Sequence, residues 1–257
     1  GEVGTKELDE KVRRILRLSF LTNMNKNRPF GSFGTEEHAK AGLKIAEEGI
    51  VLLQNNNNIL PINLSKTKKI AVIGENAIKM MTVGGGSSSL KARYEITPFE
   101  GLKKKIGNQA EIVYARGYVG DPTSNYNGVV AKVSLEDKRS AAELTAEAIK
   151  VAKDADILLF IGGLNKSDHQ DAEGADRKEL DLPYNQNKLI SELVKVNKNV
   201  VFVNISGNAV AMPWVKEVPG IVQGWFLGTE AGNALANVLV GDVNPSGKLT
   251  FTFPVKL

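Results

Sequence analysis

The 257-residue sequence predicts an α/β protein, with helices on both faces of a mainly parallel sheet of about six strands. Two observations carry this. Short apolar runs recur at "KIAVIG", "EIVYARG", "DILLFIGG", "NVVFVNISG" and "GIVQGWFLG", and segments of helical periodicity lie among them. Strands buried on both faces read as continuous apolar runs, and amphipathic crossovers between them build a three-layer sandwich. A third observation supplies the sixth strand. The closing "GKLTFTFP" alternates apolar and polar residues, which suits a half-exposed edge, and this last strand is free to run antiparallel.

The first 20 residues carry Leu8, Val12, Ile15, Leu16 and Phe20 at helical spacing, an apolar stripe that needs something to pack against. Asn, Pro and Gly then crowd the stretch up to residue 35, the composition of a linker. A second helix opens at Thr35, a plausible cap with two glutamates in the first turn, and its pattern continues through "GIVLLQN" to the "NNNN" run. After the second apolar run, residues 117–136 read as a long loop with room for a short strand. Leu144, Ala148, Val151 and Ala152 share one helical face. Leu189, Ile190, Leu193 and Val194 share another, and Ala231, Leu235, Val238 and Leu239 a third.

The composition is that of an ordinary globular domain, 42% hydrophobic and 24% charged, with a formal net charge of +4. Lys and Arg are dispersed, so no nucleic-acid patch is expected. With no cysteine, disulfides, thiolate metal ligands and a thiol nucleophile are excluded. No apolar stretch approaches the ~18 residues of a membrane span. No secretory signal is evident at the start, so any signal is expected upstream.

In an open α/β sheet, ligands bind beyond the carboxyl ends of the strands. The Gly-rich "GGGSSSLK" after the first apolar run invites a phosphate reading. It lacks the Lys-Ser/Thr pair of a P-loop, and Gly74 is followed by "ENA" rather than by a dinucleotide fingerprint. "HQDAEGADRKELDLP", residues 169–183, follows the third run and holds five acids. Asp171, Glu173 and Asp176 fall within six residues. Crowded carboxylates raise one another's pKa, which suits a general acid. The competing reading is structural: Asp176 and Arg177 form an ion pair that fixes the loop. His169 borders the cluster, whereas His38 lies in a helical pattern among charged residues. One His with loosely spaced acids is too little for a metal site, and no cofactor is expected. A serine triad lacks its G-x-S-x-G elbow.

Five segments in order resemble the C-terminal part of glycoside hydrolase family 3, the β-glucosidase and β-xylosidase group. They are "EEGIVLLQNNNNILPI", "KKIAVIGENA", "GGGSSSLKARYEITPFEGL", "EGADRKELDLPYNQNKLI" and the closing "MPWVKEVPGIVQGWFLGTEAGNALANVLVGDVNPSGKLTFTFP". "NKSDHQDAEGADR" is most similar to members of the Bacteroidetes type. The resemblance implies that residues 1–20 are the last helix of a (β/α)8-type barrel, 21–35 a linker, and 36–257 the α/β sandwich. It implies a retaining β-glycosidase, β-glucosidase first, acting on β-linked oligosaccharides or glucosides and located in the periplasm or secreted. The family's nucleophile, an Asp in a Ser-Asp-Trp-like motif of the barrel, has no counterpart here, so the chain alone is expected to be inactive. Its acid/base Glu matches Glu173, with Asp171 as second choice. His169, Gln170, Asp171, Ser87 and Ser88 are implied contacts to the substrate, and Asp176 and Arg177 hold the loop. Where the family has an aromatic between Gly and Asp, this chain has Ala175. The alternative is a carbohydrate-binding or scaffolding module without chemistry.

Overall fold

The computed structural model describes residues 2–22, 30–82, 87, 91–120, 125–126, 129–130, 135–167, 169–174 and 176–255. The chain divides into two compact units, Gly1–Thr35 and Glu36–Leu257. The first contains helix α1 (Thr5–Leu21), none of whose residues is buried. Thr22 closes it, its hydroxyl donating to the Leu18 carbonyl at 2.7 Å.

The second unit is the sandwich. Its elements run α2 (Glu36–Gly49), β1 (Val51–Asn55), β2 (Lys69–Ile73), α3 (Pro98–Ile106), β3 (Glu111–Ala115), the short hairpin β4 (Asn125–Tyr126) and β5 (Val129–Val130), α4 (Ala141–Lys153), β6 (Ile157–Gly163), α5 (Gln186–Val196), β7 (Val200–Ile205), β8 (Gly220–Gln223) and α6 (Ala231–Val240). Six strands form one sheet in the order β1-β8-β7-β6-β2-β3. Every pairing is parallel except that of β1 with β8. The five apolar runs are thus β2, β3, β6, β7 and β8.

Alternate residues of each strand feed two cores. Leu159 and Ile161 of β6, with Val72, Val203 and Val222, pack against Ala46 of α2, Leu102 and Ile106 of α3, and Leu235 and Leu239 of α6. Leu158 and Phe160 face the other way, with Ile73, Phe202 and Ile221, toward Ala148 and Ala152 of α4 and Leu189, Ile190 and Leu193 of α5. Each fully buried Val, Leu, Ile or Phe among them contributes about 1.5–3 kcal/mol. The period-2 alternation of the strands sorts them between the layers.

Helices α3 and α6 approach unusually closely. A Cβ on Gly101 would lie 2.1 Å from the Gly232 carbonyl, and one on Gly232 would lie 2.1 Å from the Thr97 carbonyl. Thr97 caps α3 reciprocally: its hydroxyl accepts from the Glu100 amide at 3.3 Å, and the Glu100 carboxylate accepts from the Thr97 amide at 2.9 Å.

Three expectations are corrected. The helix opening at Glu36 stops at Gly49, and "VLLQN" is an edge strand. Its backbone finds hydrogen-bond partners on β8, an option the apolar periodicity cannot reveal. The antiparallel strand is therefore the first, not the last. The alternating 247–254 segment forms no strand; Phe251 and Phe253 instead stack with each other, centroids 5.6 Å apart, and Phe251 meets Trp225 edge-on at 5.7 Å.

Candidate functional site

After β2 the chain crosses to β3 on one side; after β6 it crosses to β7 on the other. The carboxyl ends of the neighbouring β2 and β6 therefore border a crevice of the kind that binds ligands in doubly wound sheets. Two glycines make the exits sharp. Gly74, at φ 118°, would place a Cβ 2.1 Å from the Ile161 carbonyl, and Gly163, also at φ 118°, would place one 2.3 Å from the Ile205 carbonyl. Only a residue without a Cβ lets the chain leave the sheet this close to its neighbours.

The loop after β6 is knitted to itself. The buried Gln170 accepts from the Asn165 amide at 2.9 Å and donates to the Tyr184 hydroxyl at 2.5 Å, so both ends of its amide are engaged. The Asn165 side chain accepts from the Ser167 amide at 2.8 Å, and the Asn165 carbonyl accepts from the Asp171 amide at 3.0 Å. Asn76, from the end of β2, donates to the Leu164 carbonyl at 2.9 Å and joins the two loops at their base.

The three acids go separate ways. Asp171 accepts from the Gly207 amide at 2.7 Å through one oxygen and from the Asn208 side chain through the other. Its carboxylate ties this loop to the one after β7. Glu173 is exposed and reaches across the crevice to Ser87, whose amide donates to its carboxylate at 2.5 Å. The Ser87 hydroxyl and amide hold the Glu173 carboxyl below the usual carboxylate range. This is opposite to the rise that crowding predicts, because the acids do not crowd. Asp176 and Arg177 form no ion pair. Arg177 donates to the Ala209 carbonyl at 2.6 Å, and the Asp176 carbonyl lies 3.3 Å from Nδ1 of His169, an exposed residue in left-handed backbone at φ 61°. The Arg177 side chain thus holds the backbone of another loop, while Asp176 meets the His169 ring through its own backbone carbonyl. Ser88 and Ala175 lie outside the described residues.

Two features of the site escape sequence reasoning. Lys166 sits 3.6 Å above the centre of the Phe226 ring, and burial pushes its ammonium below its ordinary range, with Asp171 opposing that shift. Glu75, buried at the end of β2, accepts from Arg116 at 2.7 Å and from the Gly120 amide at 2.6 Å, with the buried Lys79 at 3.6 Å. The acid in "GENA" directly after an apolar strand is a visible signal; its partners Arg116 and Gly120, in a different loop, are not.

Residues 50–257 match the model of the glycosyl hydrolase family 3 C-terminal domain. The chain belongs to glycoside hydrolase family 3. Beta-glucosidase BoGH3A of Bacteroides ovatus is 46% identical over 263 residues, covering 100% of this chain and 34% of that protein. Thermostable beta-glucosidase B of Acetivibrio thermocellus is 35% identical, covering 100% of this chain and 31% of the relative. The Bifidobacterium adolescentis GH3 beta-glucosidase structure superposes with a TM-score of 0.79 at 31% identity, over 100% of this chain and 35% of the other. The chain therefore spans about a third of the length of the relatives it matches. Among the described residues no helix is long and apolar enough to cross a membrane.

Proposed function

We propose that this family 3 domain supplies the acid/base carboxyl of a retaining β-glycosidase, with Glu173 as the proton donor. The observation that carries the reading is the division of labour between the two candidate acids. Both oxygens of Asp171 are occupied in tying loops together. Glu173 stands exposed at the rim of the crevice, held by Ser87 from the opposite lip. A retaining mechanism needs two carboxyls ~5–5.5 Å apart, one to attack the anomeric carbon and one to protonate the leaving oxygen. In this reading the nucleophile is an Asp of a preceding (β/α)8-type barrel, to which residues 1–20 contribute the last helix, and 21–35 are the linker. Docking against that barrel would strip water from Glu173 and bring a second carboxylate near it. Both effects raise a carboxyl pKa, toward the value a general acid needs.

The substrate is a terminal β-linked glucose or related sugar of an oligosaccharide or glycoside. The names of the Bacteroides and Acetivibrio relatives support glucose, while a Formosa agariphila relative at 35% identity is named a beta-xylosidase. In this reading His169 and Ser87 wall the leaving-group side. The reading carries a periplasmic or secreted location, as the name of a Salmonella typhimurium relative states for that protein.

The test is Glu173→Ala in the barrel-bearing enzyme. General-acid loss should cost about 10²–10⁴-fold in turnover of a substrate with a poor leaving group. Added azide, a nucleophile that needs no general base, should restore turnover of an activated aryl glycoside. Unchanged turnover would instead favour a domain that binds sugar without taking part in the chemistry.

A further inference from the structure

The chain between Thr82 and Glu95 carries Ser87, which holds Glu173, and both of its ends are bound. At the outgoing end, one oxygen of Glu95 accepts from the amides of Met81 and Thr82 at 2.9 and 2.8 Å. A carboxylate that gathers two successive amides fixes backbone direction as well as position, and such charge-assisted bonds are roughly twice as strong as neutral ones. At the returning end, Tyr94 donates its hydroxyl to Glu230 at 2.6 Å. Ile96 donates its amide to the Thr229 carbonyl at 2.9 Å, and its own carbonyl accepts from the Gly232 amide at 2.9 Å. Glu230 is buried just ahead of α6, where a negative charge suits the helix end, and Asn233 donates to its second oxygen at 2.6 Å. Two residues beyond Glu95, Thr97 caps α3. Residues 94–97 are therefore strapped to the starts of α3 and α6, beside the glycine contact that joins these helices.

We propose that Glu95 is a positioning residue for the Glu173 carboxyl. It ties residues 81–82 to the anchored strap and so sets where Ser87 stands when it meets Glu173 across the crevice. A hydrogen bond weakens steeply once its angle or length drifts. Thr82 and Glu95 are thirteen residues apart, so an amide carried between them keeps its aim only when both ends of the span are fixed. The strap fixes one end through helices packed in the core; Glu95 carries that rigidity to the other. It acts through Ser87 and not on the reacting atoms. The alignment of Glu173 stands on the geometry of the two ends; its consequence for catalysis rests on the acid/base reading of Glu173.

The experiment has two arms. In the 257-residue chain, Glu173 is titrated by side-chain carbon NMR in Glu95→Ala and Glu95→Gln. Ser87 holds the Glu173 carboxyl below its ordinary range, so Glu95→Ala should raise the midpoint toward that of an ordinary glutamate. Glu95→Gln keeps a neutral acceptor for the same amides and should raise it less; if Glu95→Ala does not fold, this variant decides. Leu193→Ala, a core truncation on the opposite layer, should lower the melting temperature and leave the midpoint in place, which separates positioning from a general loss of stability. In the barrel-bearing enzyme, kcat/KM of Glu95→Ala should fall about ten-fold for a glycoside with a poor leaving group and change little for an activated aryl glycoside, whose departure needs no proton. A midpoint unmoved in both Glu95 variants overturns the proposal. So do equal losses on the two substrates in an enzyme where Glu173→Ala discriminates between them; the positioning then falls and the acid/base role stands. If Glu95→Ala moves the midpoint while Glu173→Ala leaves turnover intact, the acid/base role falls and the alignment by Glu95 stands.

Discussion

The amide of Ser87 donates to the carboxylate of Glu173 at 2.5 Å, across 86 residues of sequence and from the loop after β2 to the loop after β6. This bond spans the crevice at which the sheet reverses its winding direction, so the two loops of the candidate site hold each other in place.

The bond favours the ionised carboxyl. Glu173 in this chain should titrate below an ordinary glutamate when followed by side-chain carbon NMR, and Ser87→Ala, which removes the hydroxyl but keeps the amide, should move it part of the way back. A carboxyl whose folded pKa lies below its unfolded value contributes stability above the unfolded value, and loses it as pH falls through the folded one. The tether should therefore loosen on acidification. A midpoint at or above that of an unstructured glutamate would contradict this.

Asp171→Ala removes the acceptor for the Gly207 amide and the Asn208 side chain. Hydrogen bonds to a charged group contribute about 1.5–3 kcal/mol each when buried. Asp171 is only half-buried, so a loss of about 1–2 kcal/mol in denaturant unfolding is expected. In the barrel-bearing enzyme its effect on turnover should be much smaller than that of Glu173→Ala. An equal or larger effect would exchange the roles assigned to the two acids.

Gly101→Ala or Gly232→Ala should be severe, costing about 3 kcal/mol, because the new methyl meets backbone that cannot rotate away. Gly31→Ala, where a Cβ meets nothing within 4 Å, is the control. Equal melting temperatures for Gly101→Ala and Gly31→Ala would show that α3 and α6 can part cheaply.

Glu75→Gln discharges a buried acceptor and removes the anion 2.7 Å from Arg116 and 3.6 Å from Lys79. Breaking a buried pair from one side costs about 3–5 kcal/mol. The loss should be read in urea unfolding, and little change would indicate that the weaker Arg116–Asp137 contact at 3.7 Å compensates.

If Glu173 is the proton donor and the nucleophile lies on a preceding barrel, the 257-residue chain alone should not hydrolyse an aryl β-glucoside, since a proton donor without a nucleophile cannot form the covalent intermediate. Turnover by chain freed of contaminating enzyme would place a nucleophile within these residues.

The layers of the fold were legible because burial on both faces leaves uninterrupted apolar runs, as in "ILLFIGG" of β6. Thr97, Pro98 and Glu100 spell the capping box of helix α3, but the Gly-rich stretch before it makes the whole segment read as a loop. The "VLLQN" strand reads as part of the preceding helix because a short apolar run fits either period, although Gly49 marks the boundary. At the site, residue types and the loop were readable, but partnerships were not. That Asp171 would serve Gly207 while Glu173 would serve Ser87 depends on which strands become neighbours, and no local pattern encodes that.

The antiparallel seam between β1 and β8 also governs the order of assembly on the ribosome. Residues 51–55 leave the exit tunnel well before their ladder partner, 220–223, has been made. Until then Val51, Leu52 and Leu53 have no strand beside them, and a nascent chain halted after β7 carries an open, apolar sheet edge. The strand that opens the sheet in sequence thus waits for the strand that completes it.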